Sequence, residues 1–443
     1  MSIQLSEHFT YRKLIRFVLP SVIMMICSSV YSVVDGLFVS NFVGKTPFAA
    51  INLIMPVLMI LGTLGFMIGT GGSALVSKKL GEGETETANQ YFSMLIYALI
   101  VGGLLFMVIG QLLLRPIAGL LGAEGKTLEY CVLYGRILLL SLMPYMLQNA
   151  FQSFFVAAAR PQLGLTVTVA AGLTNVVLDF LFVAVLQWGL SGAALATVTS
   201  QCVGGFFPLI YFFRKNSSLL HLGKARFEAA ALLKACVNGS SELMTTVSSS
   251  LVNILYNLQL MRLIGEDGVA AYGVIMYVYF IFAAIFIGYA IGSAPVISYH
   301  YGAEDWPELK GLFRKSLLLI LLSGIVLTVL AELLSGPLAQ IFVGYDAELR
   351  ALTVHGFRLY AICFLLAGFN TFGSAFFTAL NNGVVSAAIS FLRTLLFQVG
   401  TVLILPVFLG LDGVWLAIVA AELLALFVTI FFFFIKRKQY HYI

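Results

Sequence analysis

The feature that most constrains this chain is a series of long, nearly uncharged apolar segments. A helix that crosses a bilayer core about 30 Å thick needs roughly 20 apolar residues, and twelve such segments follow one another along the sequence. Their hydrophobic runs are continuous rather than alternating, which excludes an outer-membrane β-barrel. They cover residues 14–40, 47–73, 90–113, 128–154, 162–186, 191–213, 236–261, 269–295, 312–333, 351–378, 383–409 and 413–435. The sequence therefore predicts an all-α, polytopic membrane protein with twelve transmembrane helices.

The composition excludes several other classes of protein. Hydrophobic residues make up 60% of the 443 residues and charged residues 10%, whereas soluble proteins carry about 25% charged residues. So little charge cannot cover a surface that faces water, which excludes a soluble enzyme, a disordered chain and a secreted disulfide scaffold. The five cysteines are scattered through apolar stretches, which favours buried free thiols over a metal site. The first apolar segment is too long for a cleavable signal peptide.

The positions of lysine and arginine predict the orientation in the membrane. With the N-terminus in the cytoplasm, 17 of the 25 lysines and arginines fall on the cytoplasmic side, as the positive-inside rule requires. Both termini are therefore predicted to be cytoplasmic, in a multi-pass protein of the cytoplasmic (inner) membrane. The basic excess is explained by topology, so we expect no nucleic-acid partner; the expected partners are the lipid bilayer and small organic substrates, with a monomeric chain.

An internal duplication divides the chain into two halves. Residues 221 positions apart match without a gap across six apolar segments. Matching pairs include Gly44 and Gly265, Gly71 and Gly292, Gly81 and Gly302, Pro116 and Pro337, and Gly189 and Gly410. Because six is even, both halves enter the membrane in the same sense, which is the parallel-repeat arrangement of many secondary transporters. The sequence predicts two six-helix lobes, 1–213 and 236–443, joined by a cytoplasmic linker, 214–235, with a cleft between the lobes.

Ionisable side chains inside the predicted spans are candidates for function, because each costs several kcal/mol in hydrocarbon. Asp35, Asp179 and Thr197 lie at one level, roughly 8–10 Å below the outer surface at 1.5 Å per residue. Asn175 is one helical turn from Asp179, so the two share a face. Two carboxylates, a carboxamide and a hydroxyl can hold a desolvated Na⁺ or share one proton. The alternative is that each acid pairs with an arginine, and Arg136 lies at a comparable depth.

The duplication assigns this cluster to one lobe. The positions 221 residues after Asp35, Asn175 and Asp179 are Tyr256, Leu396 and Gly400. Any cation site is therefore predicted in the N-terminal lobe alone, and no other metal site or cofactor is expected.

Other intramembrane residues are assigned weaker roles. Pro20 in the first span, Glu242 and Arg136 are candidates for a gate or for coupling, since a proline can bend a helix; Glu422 is interpreted as structural. Met and aromatic side chains suit an adaptable cleft for organic cations. The candidate cleft residues are Met24, Met25, Tyr31, Phe38, Tyr145, Asn149, Tyr256, Tyr277 and Phe282.

Four segments carry a family resemblance. They read VDGLFVSNFVG (34–44), GTGGSALVSKKLG (69–81), NVVLDFLFV (175–183) and GLSGAALATVTSQ (189–201). In order and spacing they resemble the multidrug and toxic compound extrusion (MATE) family, and the similarity extends over the whole chain with its 6+6 duplication.

The resemblance implies an inner-membrane antiporter in which Na⁺ or H⁺ runs inward while organic, often cationic and amphipathic compounds are expelled. In the branch of the family with a cation site in the N-terminal lobe, the matching positions are Asp35, Asn175, Asp179 and Thr197. Another branch uses an acid in the tenth span, where this chain has Asn370 and no acid. The resemblance therefore implies no cation site in the C-terminal lobe.

Three other functions compete with the antiporter. A major facilitator transporter would carry a Gly-Asp-Arg-basic motif in the loop that here reads SKKLGEGETE (77–86). A lipid-linked saccharide flippase of the same superfamily would favour a strongly cationic cleft, and it remains the alternative. An enzyme is excluded because the five histidines are dispersed and no HExxH, GxSxG or Walker sequence occurs; energy would come from an ion gradient.

Overall fold

The computed structural model describes residues 3–43 and 45–443, without the side chains of residues 37, 40, 41, 45, 48 and 49. The repeat-matched Gly44 therefore lies outside the described residues. Seven helices form the N-terminal half: α1 (Tyr11–Phe42), α2 (Lys45–Gly81), α3 (Thr85–Leu120), α4 (Gly125–Leu139), α5 (Leu142–Ala157), α6 (Pro161–Asp179) and α7 (Gly189–Phe213). A π-helical segment, Phe180–Val185, extends α6.

Nine helices form the C-terminal half. They are α8 (Ala229–Asn238), α9 (Ser240–Ile264), α10 (Glu266–Gly302), α11 (Trp306–Val343), α12 (Ala347–Ala361), α13 (Phe364–Ala379), α14 (Gly383–Phe391), α15 (Gln398–Leu409) and α16 (Leu411–Tyr440). A second π-helical segment, Leu392–Phe397, joins α14 to α15. Strands are absent from the described part of the chain, which agrees with the predicted all-α class.

The twelve predicted spans are accounted for by these helices. Within the described residues, nine helical segments are long and apolar enough to cross a membrane, and the bent pairs α4–α5 and α12–α13 raise the number to eleven. The remaining span is α9, a helix of 25 residues whose many serines, threonines and asparagines lower its hydropathy. The twelve-helix arrangement is thus consistent with the structure.

Two spans that the sequence predicts as continuous are bent. The α4–α5 pair turns by 58° and the α12–α13 pair by 46°. At each bend the α-helical hydrogen bonds give way to tighter ones, such as Ser141 N to Leu138 O at 3.0 Å and Cys363 N to Tyr360 O at 3.0 Å. The bends lie close to 221 residues apart, so the duplication that the sequence shows is repeated in the backbone.

The two lobes contact each other through small residues at the end of the bundle that carries Lys78. A Cβ atom on Gly81 would lie 2.0 Å from the Tyr299 carbonyl oxygen, and one on Gly302 would lie 2.1 Å from the Lys78 carbonyl oxygen. Glycine is therefore required where α2 crosses α10. Among the described residues, hydrogen bonds between the lobes extend no farther along α1 than Ser29 and no farther along α2 than Thr63. The lobes are hence joined at this end.

The residues before α1 belong to the first lobe in sequence but pack on the second. Phe9 N donates to Glu308 Oε1 at 2.8 Å, and Lys315 Nζ donates to the Phe9 carbonyl oxygen. His8 Nδ1 lies 2.5 Å from Glu308 Oε2. Leu5 and Phe9 are fully buried in a cluster with residues of the C-terminal half. This N-terminal segment, residues 3–10, therefore links the two lobes.

The connection between the halves lies against α3. His221 N donates to Asn89 Oδ1 at 2.8 Å, and Tyr91 donates to Glu228 Oε2 at 2.8 Å. Residues 229–238 then form the short helix α8, so the predicted linker 214–235 ends inside a helix. The exact lobe boundaries remain a prediction.

Candidate functional site

Asp35 and Asp179 face each other inside the N-terminal lobe. Asp35 lies on α1, and Asp179 is the last residue of α6, directly before the first π-helical segment. Their carboxyl groups are close enough to interact with each other. Because a carboxylate has no donor, a hydrogen bond between them could form only with one of the two groups protonated. The two helices therefore bring together the two acids that sequence depth had placed at one level.

The surroundings leave this pair short of hydrogen-bond donors. Asp179 is 0% exposed, and neither of its oxygens nor Asp35 Oδ1 has a donor among the described residues. Asn175, one turn before Asp179 on α6, is buried as well, and its Nδ2 is without a partner in the same part of the chain. Buried polar groups are normally satisfied, whereas here three carboxyl oxygens and one amide nitrogen have no partner among the described residues.

Thr197 lies on α7, which packs against α6. Its hydroxyl donates to the Ala193 carbonyl oxygen at 3.1 Å, which leaves the hydroxyl oxygen free to accept a hydrogen bond or to coordinate a cation. Within the described residues no hydrogen bond joins it to either aspartate.

Tyr134 is a member of the cluster that the sequence analysis missed. It lies on α4, is 1% exposed and interacts electrostatically with both Asp35 and Asp179. It lies about six residues inside the predicted fourth span, the same depth as Asp35 in the first. Tyr134 would have been found if the depth in the membrane had been compared for tyrosines as well as for charged residues.

Arg136 does not neutralise the aspartates. Its side chain is exposed, and Gln111 Nε2 donates to its carbonyl oxygen at 2.8 Å. Ion pairs from Arg136 to Asp35 or Asp179 are absent from the described part of the chain. The alternative in which each acid has an arginine partner is therefore not what the structure shows for this pair.

Pro20 and Glu242, the other candidates for a gate, lie near contacts between the lobes. Pro20 is buried beside the crossing of α1 and α10, where a Cβ on Gly288 would lie 2.8 Å from the Ser21 carbonyl oxygen. Glu242 is in the first turn of α9, and its carbonyl oxygen accepts from the Thr246 hydroxyl. The Thr246 hydroxyl lies 3.2 Å from the Thr63 hydroxyl of the other lobe.

Several predicted cleft residues line the inside of the N-terminal lobe. Tyr31 donates to Ser28 Oγ at 3.3 Å, and its ring lies over Gly172. The Tyr145 ring covers Gly62, whose carbonyl oxygen accepts from Asn149 Nδ2 at 3.2 Å. These contacts hold the three side chains of α1 and α5 against neighbouring helices of the same lobe.

The remaining predicted cleft residues are more dispersed. Met24 and Met25 are buried between the lobes, and Phe38 stacks on Phe42. In the C-terminal lobe the three candidates each pack against another aromatic ring, although Tyr277 is still 41% exposed. Tyr256 is 1% exposed and stacked on Tyr272, Phe282 packs on Phe364, and Tyr277 stacks on Phe342 of α11.

The C-terminal lobe holds a different charged cluster. Arg393, in the second π-helical segment, donates from Nε to Glu422 Oε1 at 2.8 Å, and its Nη2 lies 2.7 Å from the same oxygen. Asn370 Nδ2 donates to Glu422 Oε2 at 2.7 Å, and Thr429 donates to Asn370 Oδ1 at 2.8 Å. Arg393 also donates to the Thr371 hydroxyl at 3.1 Å. Every member has partners, which agrees with the structural interpretation of Glu422.

Solved structures share this fold. An outward-facing multidrug resistance MATE family transporter of the MOP superfamily aligns with a TM-score of 0.93 at 22% identity, over 99% of this chain and 98% of that chain. A MATE protein in complex with MaL6 aligns with a TM-score of 0.92 at 22% identity, over 98% and 97%. At this identity the likeness concerns the fold alone.

Sequence relatives cover nearly the full length of the chain. The multidrug export protein MepA of Staphylococcus haemolyticus (strain JCSC1435) is 24% identical over 439 residues, which is 98% of this chain and 95% of the relative. MepA of Staphylococcus aureus (strain MSSA476) is 23% identical over 434 residues, 97% and 94% of the two chains. The MatE family model matches residues 20–181 and 243–403, one stretch in each half. The chain therefore belongs to the MatE family.

Proposed function

We propose that this protein is a secondary active multidrug efflux antiporter that exchanges Na⁺ or H⁺ for organic, often cationic and amphipathic compounds by alternating access. The observation that carries the proposal is the pair Asp35–Asp179: a half-buried and a fully buried carboxyl group that interact inside one lobe of a MatE-family bundle, without a cationic partner among the described residues. Multidrug export is the activity named for the MepA relatives.

The chemistry of the pair suits exchange of a small cation. With both carboxylates ionised, like charges repel in a site removed from water, and a bound Na⁺ or one shared proton relieves that repulsion. Asn175 and Thr197 supply further oxygen ligands, and Tyr134 adds a hydroxyl near both acids. Oxygen ligands of this kind suit hard cations, and they serve a proton equally well.

Cation binding is coupled to the shape of the cleft through α1. Asp35 lies near one end of this helix, and Pro20 and Ser21 lie at its crossing with α10 of the other lobe. A cation that bridges α1 to α6 changes the position of α1, and a ligand shifts a conformational equilibrium by its differential affinity for the two states. Release of substrate and uptake of the cation are thereby linked.

Orientation completes the proposed cycle. The lobes are joined at the end that carries Lys78, and the positive-inside rule places this end in the cytoplasm. The cleft would then open to the outside of the cytoplasmic membrane, where substrate leaves and the cation enters. The coupling ion acts as a transported substrate, and the protein is proposed to work as a monomer.

Dye efflux from proteoliposomes tests the proposal. A Na⁺ gradient and then a pH gradient are imposed on vesicles that contain the full chain, and the initial rate of efflux is measured. We expect one gradient to drive efflux, and Asp35→Asn and Asp179→Asn each to lower that rate at least about tenfold, the effect of losing more than 1.4 kcal/mol of coupling.

The matched control is Asp267→Asn, the same change at an exposed aspartate in the first turn of α10. This variant should keep the wild-type rate, and all variants should be inserted in equal amounts. Wild-type rates in both site variants, under the gradient that drives the native protein, would contradict the proposal.

A further inference from the structure

A groove lies between α11 and α12 at the end of the C-terminal lobe opposite Lys78. It has a volume of about 550 Å³ and is lined by Gly336, Arg350, Ala351, Val354, His355 and Arg358. A Cβ atom on Gly336 would meet nothing within 4 Å, so this glycine faces the open groove. The arginines lie eight residues apart on α12, hence about two turns apart on one face.

The positive charge in this groove is only partly compensated. Arg350 Nη1 donates to a neutral acceptor, Gln340 Oε1, at 2.5 Å, and no carboxylate pairs with it among the described residues. Arg358 Nε donates to Ser335 Oγ at 3.3 Å and lies 3.7 Å from Glu332 Oε2, in a contact that is half exposed on both sides. His355 Nε2 lies 2.7 Å from Asp412 Oδ1. Guanidinium donors are therefore left for an anion.

The N-terminal lobe lacks the two arginines at the matching positions of the duplication. The positions 221 residues before Arg350 and Arg358 are Glu129 and Ile137. Glu129 forms an ordinary exposed ion pair with Arg115 at 2.8 Å. The two arginines of α12 thus depart both from the duplication and from the concentration of basic residues at the opposite end of the bundle.

The setting of the groove is the lipid boundary. Exposed apolar side chains lie before and after Gly336 on α11, with Leu333 68% and Ile341 76% exposed. Tyr345, between the two helices, is 82% exposed, and tyrosine is enriched where membrane spans meet lipid headgroups. A ligand here would have its charged group against the arginines and its apolar part against α11.

We propose that the α11–α12 groove binds an anionic phospholipid, with the phosphate of its headgroup held by Arg350 and Arg358 and its acyl chains along the exposed face of α11. Arginine suits this ligand because its planar donors match phosphate oxygens. A soluble phosphate would gain nothing from the apolar border, so the lipid is the occupant that fits both parts of the site.

Native mass spectrometry of the purified, delipidated full chain tests this assignment. Phosphatidylglycerol and phosphatidylcholine are titrated separately, and the apparent dissociation constant of the first bound lipid is measured. In Arg350→Gln/Arg358→Gln, we expect phosphatidylglycerol to bind about tenfold more weakly, because each basic residue near an anionic headgroup contributes a few-fold in affinity. Phosphatidylcholine binding should change less than twofold.

A second variant tests the groove without removing a charge. Gly336→Leu fills the open space, so it should also weaken phosphatidylglycerol binding several-fold. The matched controls in the N-terminal lobe are Arg115→Gln and Gly119→Leu, the latter again at a glycine whose Cβ would meet nothing within 4 Å. Both controls should bind phosphatidylglycerol as the native protein does.

Two results would overturn the proposal. Native phosphatidylglycerol affinity in both the double-arginine variant and Gly336→Leu would show that no anionic lipid binds there. Complete displacement of phosphatidylglycerol by millimolar glycerol 3-phosphate would show that the groove serves a soluble phosphate instead of a lipid.

Discussion

The two lobes each place a charged cluster in a membrane-spanning region, and the clusters differ in whether their polar atoms are satisfied. In the C-terminal lobe, Glu422 accepts from Arg393 and Asn370, and the network is closed by Thr429. In the N-terminal lobe, the oxygens of Asp179 have no donor among the described residues. A buried group with all its partners holds a structure together, whereas one without partners has bonding capacity left for a ligand.

Both clusters lie at a π-helical segment, yet these segments are not related by the duplication. The first follows Asp179, and the second contains Arg393. Subtracting 221 from the second segment leads to residues 171–176, within α6 and before the first segment. Short π-helical stretches often occur at functional positions. The comparison teaches that divergence after duplication changed the backbone locally, together with the charged side chains.

The largest effect should come from opening the satisfied cluster. Arg393→Met leaves the Glu422 carboxylate buried without its charge partner, which we expect to lower the free energy of unfolding by about 3–5 kcal/mol. Arg393→Met/Glu422→Leu removes both charges and should recover most of that loss. Thermal or denaturant unfolding in detergent measures these free energies. If Arg393→Met were as stable as the native protein, the cluster would not be structural.

The unsatisfied cluster should respond with the opposite sign. Asp179→Asn removes one of two facing carboxyl groups and supplies an amide donor to Asp35, so the free energy of unfolding should rise by about 1 kcal/mol, the net value of a hydrogen bond. The same unfolding measurement, made without Na⁺ and above neutral pH, checks this. If Asp179→Asn lost as much stability as Arg393→Met, the cluster of the N-terminal lobe would be as structural as that of the C-terminal lobe.

A carboxylate outside the membrane spans should give the smallest effect. Burial raises the pKa of Glu82, but the hydrogen bond from Lys79 and the charge of Lys78 outweigh it, so the pKa lies below its ordinary value of 4.5. A lowered folded-state pKa contributes stability above the unfolded pKa, and this is lost as the pH falls through the folded pKa. Glu82→Gln should cost at most about 1 kcal/mol at pH 7.

The pH dependence supplies the check for that last variant. The difference in unfolding free energy between the native protein and Glu82→Gln should shrink as the pH is lowered from 7 to below 4.5 and should vanish when Glu82 is protonated. A difference that grows toward acid pH would contradict the sign of the shift.

Much of the fold could be predicted because lipid imposes strong rules on sequence. A span must be long and apolar, and even α9, rich in serine and threonine, is bounded well enough to be predicted over 236–261. The bends at Ser141 and Cys363 could not be located from the sequence. Pro144 follows the first bend but is one of several prolines inside the spans, and no proline lies near the second, where local hydrogen bonds turn the chain. The packing partners of each helix could not be predicted either, because the depth of a residue in the membrane does not show which helices face each other.

The candidate site was partly accessible to the same reasoning. Depth brought Asp35 and Asp179 to one level, and their facing orientation is what the structure adds. Tyr134 was missed because tyrosine near a membrane surface is common and carries no charge. The pairing of Arg393 with Glu422 requires knowing that α14–α15 and α16 are neighbours, which no spacing within either helix discloses.

The N-terminal segment has a consequence for any motion that parts the lobes at the Lys78 end. The backbone of Phe9 is hydrogen-bonded to Glu308 and Lys315 of the C-terminal half, whereas α1, which follows it, belongs to the N-terminal half. The residues before α1 therefore connect the two lobes. Separation of the lobes at this end must either break the hydrogen bonds of Phe9 or keep the first turns of α1 with the C-terminal lobe and bend the helix at Pro20. The residues before α1 thus restrain how far the two lobes can separate at this end.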